Sequence, residues 1–220
     1  EGGQHARKIL HKIRTKEVIL ATGAHERPML FETNDLANIM LGQSVRRYLN
    51  EFNVVAGKDI VLYGNNDSIY RTAIDLSKHN INSKVIDVRV SGNESEAVLE
   101  AKNSGIEVFQ GFAVLKAKGK SRVTGVEISQ VEMQAKPPHW KSKWRITGDT
   151  KTLNCDLLAT SGGFNPVVHL DCHCGGKTFF DEKSQSFLAQ KERKNRQVCG
   201  AVNSVGFWKD AMADAKNKAQ

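Results

Sequence analysis

The alternation of apolar runs and amphipathic segments across residues 59–109 restricts this chain more than any other feature. Asp59-Ile60-Val61-Leu62-Tyr63-Gly64 is apolar at consecutive positions, which suits a strand covered on both faces. Asn65-Asn66-Asp67-Ser68 follows as a turn rich in helix-capping residues, and residues 69–79 carry Ile69, Ala73 and Leu76 at helical spacing. Residues 84–88 read as a second strand, 94–103 as a helix ended by Gly105, and 106–109 as a third strand. This order predicts a parallel sheet with right-handed crossovers, hence an α/β, Rossmann-like fold. Over residues 112–146 the pattern changes to strands with turns at Lys118-Gly119 and Lys136-Pro137-Pro138, which predicts antiparallel additions.

Upstream, the first thirty residues read as β-structure. Residues 9–14 alternate apolar and polar, and Glu17-Val18-Ile19-Leu20-Ala21-Thr22-Gly23 reads as a strand buried on both faces. Residues 41–52 have helical spacing that sets Val45, Tyr48, Leu49 and Phe52 on one face.

An internal repeat organises the whole. Ala21-Thr22-Gly23-Ala24-His25-Glu26-Arg27-Pro28 and Ala159-Thr160-Ser161-Gly162-Gly163-Phe164-Asn165-Pro166 share Ala-Thr at the start and Pro at the eighth position. Each follows an apolar strand with an acidic residue just before it, Glu17 and Asp156. Two related domains are implied, the second inserted into the first. The tail agrees: Arg196-Gln197-Val198-Cys199-Gly200-Ala201 reads as a strand, and residues 204–219 as a helix, as if the chain returned to its first domain. The expected division is therefore 1–52 with 167–220 as the remnant of a first dinucleotide-binding domain, and 53–166 as an inserted Rossmann-like domain.

In such a unit a pyrophosphate sits where the first strand meets the helix, on free N–H groups and close to glycines. The fingerprint G-x-G-x-x-G would place glycines at 64, 66 and 69; the residues are Gly64, Asn66 and Ile69. Asn66 would have to adopt a left-handed turn and its side chain takes up room, while Ile69 would hold the helix away from the strand. Asp87, 23 positions beyond Gly64, stands where a ribose-binding acid is expected. Two readings stay open: a dinucleotide site built from Gly64, Asn65, Asn66, Asp67 and Asp87, or a fold kept without its ligand. Thr22-Gly23, Ser161-Gly162-Gly163 and Gly200 are glycines at strand ends, which let a chain turn away beside a cofactor or simply form a loop. The repeat favours cofactor proximity for Thr22 and Gly23.

The net charge of +8 raises the question of nucleic acid. Lysines are spread along most of the chain, with denser stretches at 136–145, where Trp140 and Trp144 are interleaved, and at 191–196. A basic aromatic hairpin can stack on single strands, but a solvated hairpin whose tryptophans cover a sheet edge is the preferred reading. The four cysteines, Cys155, Cys172, Cys174 and Cys199, do not form a secreted disulfide framework, so a reducing, cytoplasmic compartment is expected. His169, Cys172, His173 and Cys174 have the donor types for zinc or copper, yet no second cysteine pair follows, and a thiol-rich loop without metal is expected. His25-Glu26-Arg27 reads as an exposed polar turn with a local ion pair. No apolar run approaches the roughly 20 residues that span a bilayer. The opening Glu1-Gly2-Gly3-Gln4 reads as a start in mid-protein.

The strand-exit motif at 21–28, Asn34-Asp35 ahead of Ile39-Met40-Leu41, the run Asn65-Asn66-Asp67-Ser68-Ile69-Tyr70-Arg71-Thr72-Ala73, and Ser161-Gly162-Gly163-Phe164-Asn165-Pro166-Val167-Val168-His169-Leu170 occur in this order. Together they resemble the alpha subunits of heterotetrameric sarcosine oxidases. The resemblance implies a disulfide-reductase-like FAD/NAD(P)-binding fold. It implies a parent subunit that holds NAD, a beta subunit that oxidises the amine at FAD, an FMN between subunits, and a carboxy-terminal folate-binding domain. The parent would demethylate sarcosine oxidatively, while this chain alone would lack the catalytic centre, with Thr22, Gly23 and Gly200 as the remaining wall of the NAD site. The phosphate loop of the first domain would precede Glu1 and the folate domain would follow Gln220. The alternative is a Rossmann-shaped interaction module that has lost its ligand and serves assembly alone.

Overall fold

The computed structural model describes residues 10–90, 94–134, 143–190, 195–206 and 208–219. The chain forms two compact units: unit 1 comprises Glu1–His25 and Asn165–Gln220, and unit 2 comprises Glu26–Phe164. It starts in unit 1 with β1 (Val18–Leu20), and the short strand β2 (Ala24–Glu26) carries it across.

Unit 2 continues with β3 (Ile39–Leu41), α1 (Gly42–Phe52), β4 (Ile60–Gly64), α2 (Ser68–Lys78), β5 (Ser83–Asp87), α3 (Glu96–Asn103) and β6 (Glu107–Gln110). Next come β7 (Phe112–Gly119), β8 (Val123–Gln134), β9 (Lys143–Ile146), β10 (Lys151–Asn154) and β11 (Leu157–Ser161). Five strands form a parallel sheet in the order β3-β11-β4-β5-β6. Strand order reverses between β4 and β11, which makes their carboxyl ends the topological switch point.

Side chains alternate along each strand, so the buried runs feed two cores. Ile60, Leu62, Val85, Leu157 and Ala159 face α1, α2 and α3. Val61, Tyr63, Ile86 and Leu158 face the antiparallel strands, meeting Val114, Val126 and Ile128. That second layer runs β10-β8-β7, with β9 paired to the far end of β8. Consecutive apolar residues in β4 and β11 thus mark strands covered on both faces.

The carboxylate of Asp156 ties the opposite edge of the sheet together by accepting from the backbone N–H groups of Lys58 and Asp59, each at 2.9 Å. In α1 only half of the expected apolar face turns inward. Val45 and Leu49 are buried, whereas Tyr48 and Phe52 are 46 % and 59 % exposed. Their rings pack on each other where left-handed Asn53 ends the helix.

After β12 (Phe164–Pro166), unit 1 resumes with α4 (His169–His173), the hairpin β13 (Thr178–Asp181) and β14 (Ser186–Ala189), and β15 (Arg196–Val198). A 3-10 turn at Gly200–Asn203 and α5 (Trp208–Ala219) complete it. β1 and β15 pair in parallel, Leu20 opposite Val198. Arg196 donates from Nε to Asp171 Oδ1 at 2.7 Å and from Nη1 to the Cys174 carbonyl at 3.1 Å, which joins α4 to β15.

Several expectations change here. Among described residues 10–17 there is no strand. β1 is not covered on both faces: it sits in a two-stranded sheet, and Val18 and Ile19 are 42 % and 41 % exposed. Residues 169–173 form a short helix rather than a loop. Residues 26–52 pack in unit 2, because β3 pairs with β11 and α1 lies on α2. Trp144 stands half exposed opposite Met133 on the β8–β9 ribbon. The turn at 136–138, Trp140 and the basic stretch at 191–194 lie outside the described residues.

Candidate functional site

The carboxyl edge of unit 2 starts from Gly64, which pairs with Ser161 on one side and Asp87 on the other. A Cβ added at Gly64 would lie 2.4 Å from the Ser161 carbonyl oxygen and 2.8 Å from Ile69 Cγ2. Glycine is needed here so that β4, β11 and α2 can close on one another. Ile69 does not hold the helix away, as its sequence position suggested. It is fully buried in the space that Gly64 leaves.

Asn66 lies in the bend just before α2, whose N-cap is Asp67. Its Oδ1 accepts from the Ser68 N–H at 3.1 Å and from the Ser68 hydroxyl at 2.6 Å. Its Nδ2 donates to the Ser161 carbonyl at 3.1 Å, to Ser161 Oγ at 3.0 Å and to Asn65 Oδ1 at 3.1 Å. The expected left-handed turn is absent, since Asn66 is not among the described residues with positive φ. Asn65 is held by its own N–H, which donates to the Ser161 carbonyl at 3.2 Å.

Asp87 is fully buried at the end of β5. Its Oδ2 accepts from the Tyr70 hydroxyl at 2.8 Å and from Arg89 Nη2 at 2.8 Å, and its Oδ1 from the Arg89 N–H at 2.9 Å. Arg89 Nη1 also lies 2.8 Å from Asp67 Oδ1, so one guanidinium bridges two carboxylates. Burial, then the Asp87 charge, hold the Tyr70 phenol far above its ordinary range. Burial opposes the charge on Arg89, but hydrogen bonding and attraction from Asp87 and Asp67 outweigh it and raise its pKa. The sequence singled out neither Tyr70 nor Arg89. The one available signal was a cation two positions after the acid.

Glu26, the last residue of β2, lies against Ser161 at the end of β11, and it is no freely exposed turn residue. Its Oε2 accepts from the Gln43 N–H at 2.8 Å and so caps α1, which has no side-chain cap of its own. Burial raises its pKa, against the hydrogen bonds from Ser161 and Gln43 and the charge of Arg46. Gly162 and Gly163 lie where the chain passes close against residues 27–28. A Cβ at Gly162 would lie 2.8 Å from the Pro28 carbonyl oxygen, and one at Gly163, with φ of +93°, 2.7 Å from Arg27 Nη2.

In unit 1 the pairing of β1 with β15 brings Thr22, Gly23 and Gly200 to the same strand ends. The Thr22 hydroxyl donates to the Val167 carbonyl at 2.6 Å, and the Val167 N–H to the Gly23 carbonyl at 3.0 Å. Gly23 and Gly200 have φ of +76° and +74°, and a Cβ at Gly23 would meet nothing within 4 Å. The Gly200 N–H donates to Asp214 Oδ2 at 2.9 Å. A cavity of about 320 Å³ beside β15 is lined by Arg196, Asn203, Asp214 and Lys218.

A dinucleotide needs free N–H groups at a helix start for its phosphates and an available acid for its ribose. Unit 2 does not fit that requirement, because Asn66 takes the Ser68 N–H and Tyr70 and Arg89 take Asp87. In unit 1, Gly23 has a left-handed backbone with nothing within 4 Å of where a Cβ would stand. Among the described residues no group of three His, Cys, Asp or Glu could hold a metal ion, and no helix is long and apolar enough to cross a membrane.

No model of a known protein family matches the chain. It is similar to sarcosine oxidase subunit alpha of Corynebacterium sp. strain U-96, 36 % identical over 91 % of this chain and 20 % of that protein. The same subunit of Corynebacterium sp. strain P-1 is 35 % identical over 93 % of this chain and 20 % of that protein. The chain thus spans about one fifth of the length of these relatives. Among solved structures, T. acidophilum thioredoxin reductase superposes with a TM-score of 0.62 at 18 % identity, covering 93 % of this chain and 66 % of that one. Mycobacterium tuberculosis FprA in complex with NADPH gives 0.62 at 15 % identity, covering 93 % and 62 %. The fold is therefore the FAD/NAD(P)-binding, disulfide-reductase-like one.

Proposed function

We propose that this chain, as a homologue of sarcosine oxidase alpha subunits, is the cofactor-holding and assembly part of an amine oxidoreductase. The whole enzyme demethylates sarcosine oxidatively, with NAD in this subunit, FAD and FMN elsewhere in the complex, and a beta subunit as partner. It works in the cytoplasm. The similarity over nine-tenths of the chain carries this reading. Its structural support is the strand edge in unit 1, where left-handed Gly23 has open space beside its backbone. Thr22 would hold the turn through its bond to Val167, and Gly23 and Gly200 would let a nucleotide approach the backbone. The nucleotide, when bound, supplies redox-competent nicotinamide chemistry, and no catalytic residue is assigned to this chain.

The second reading, a Rossmann-shaped assembly module without ligand, is favoured for unit 2 by the Asn66 contacts at the start of α2. The test is to express the full-length subunit with its beta partner, assay sarcosine-dependent peroxide formation, and measure nucleotide released on denaturation. Peroxide formation with released NAD supports the first reading. A colourless complex that assembles but neither turns over nor releases nucleotide removes it in favour of the second.

A further inference from the structure

We infer that the dinucleotide position of unit 2 is filled by the protein's own side chains, so that its polar cluster maintains the fold and binds no nucleotide. Two parts of a bound dinucleotide have internal substitutes here. A phosphate at a helix start accepts from the first N–H groups of the helix. Asn66 Oδ1 does this for Ser68, while Asn66 Nδ2 fastens the same side chain to both polar atoms of Ser161 on the neighbouring strand. A ribose donates its hydroxyl to the acid at the end of the second strand. The Tyr70 hydroxyl does this for Asp87, and Arg89 satisfies the rest of the carboxylate.

The charge balance points the same way. Arg89 would be the residue to meet a 2′-phosphate, but Asp67 and Asp87 enclose it, leaving one net negative charge where a phosphate would come. Gly64, the surviving fingerprint glycine, is explained by its contacts with Ser161 and Ile69 without any ligand. This inference concerns unit 2 alone and stands whether or not unit 1 holds NAD.

The test substitutes Asp87→Asn and Asn66→Gly separately in the full-length subunit. Each variant is measured for thermal midpoint and for NAD and NADP bound per chain, by calorimetric titration and by release on denaturation. Asp87→Asn sets an amide N–H against the donors of Tyr70 and Arg89. The expected result is a midpoint lowered by about 6 °C or more, with nucleotide binding equal to the wild type. Asn66→Gly, which opens the α2 terminus, is expected to lower the midpoint less and again leave binding unchanged; it serves if Asp87→Asn fails to fold. Loss of bound NAD or NADP in either folded variant at an unchanged midpoint overturns the inference. A wild type that binds no nucleotide removes the proposed cofactor role, while the midpoint shifts still report on unit 2.

Discussion

Replacing Gly64 by alanine separates two reasons for having glycine at the end of a first Rossmann strand. Where the glycine only admits a phosphate, alanine stabilises the unliganded protein by roughly 0.4–1 kcal/mol, because the unfolded chain loses freedom. Gly64 has no positive φ that would penalise alanine. In this structure the new methyl would meet the Ser161 carbonyl oxygen at 2.4 Å and Ile69 Cγ2 at 2.8 Å. The first contact is backbone of a central strand paired in register from Leu157 to Ser161, so it cannot retreat without opening the β4–β11 ladder. Overpacking costs about 1–3 kcal/mol, and a backbone obstacle places Gly64→Ala at the upper end, about 3 kcal/mol. For a chain of this size that lowers the thermal midpoint by roughly 6–12 °C. Equilibrium urea unfolding followed by far-UV circular dichroism reads the loss directly as a lower midpoint at unchanged slope. A Gly64→Ala protein as stable as the wild type, or more so, refutes the packing account.

Three further outcomes are expected. Asp156→Ala should cost about 2 kcal/mol in the same unfolding assay, since the carboxylate accepts the N–H groups of Lys58 and Asp59, and Asp156→Asn should recover part of it. In native protein, Ellman's reagent should titrate Cys172 and Cys174 only. Cys199 is buried, and burial followed by the nearby Asp156 and Asp59 charges pushes the Cys155 thiol up to about 12, so both should react only after unfolding. Glu26 has a folded-state pKa raised above its ordinary 4.5, so the stability it contributes is present below that value and is lost as pH rises through the folded pKa. Urea midpoints from about pH 4 to 8 should therefore decline less for Glu26→Gln than for the wild type; parallel curves would contradict this.

The parallel core was legible because its signals are local. Consecutive apolar residues in β4 and the spacing of Ile69, Ala73 and Leu76 reflect burial on both faces of a strand and one face of a helix. The candidate site was legible only as a position, because its chemistry depends on which distant group arrives there. Nothing near Asn66 in the chain announces that Ser161 will receive its amide. Nothing near Asp87 reveals that Tyr70, on the preceding helix, will complete it. The β13–β14 hairpin escaped notice because its turn places Gln185, not Gly or Asn, at φ of +49°. Tyr48 and Phe52 misled because helical periodicity shows which residues share a side, not how much of that side a neighbour covers.

The bonds that close the two ends of unit 2 on each other bear on the order in which the protein takes shape. The Arg27 N–H donates to the Gly163 carbonyl at 2.8 Å, and the Gly162 N–H to the Arg27 carbonyl at 2.6 Å. A chain emerging from the ribosome delivers β1 long before its partner β15. β1 must therefore wait unpaired while everything between is made. Once the intervening segment has collapsed, its two ends meet, and a long closure shrinks to a short one with a correspondingly smaller entropic barrier. Pairing of β1 with β15 should therefore be faster once unit 2 has folded, and a defect confined to the β3-β11-β4-β5-β6 sheet should slow it.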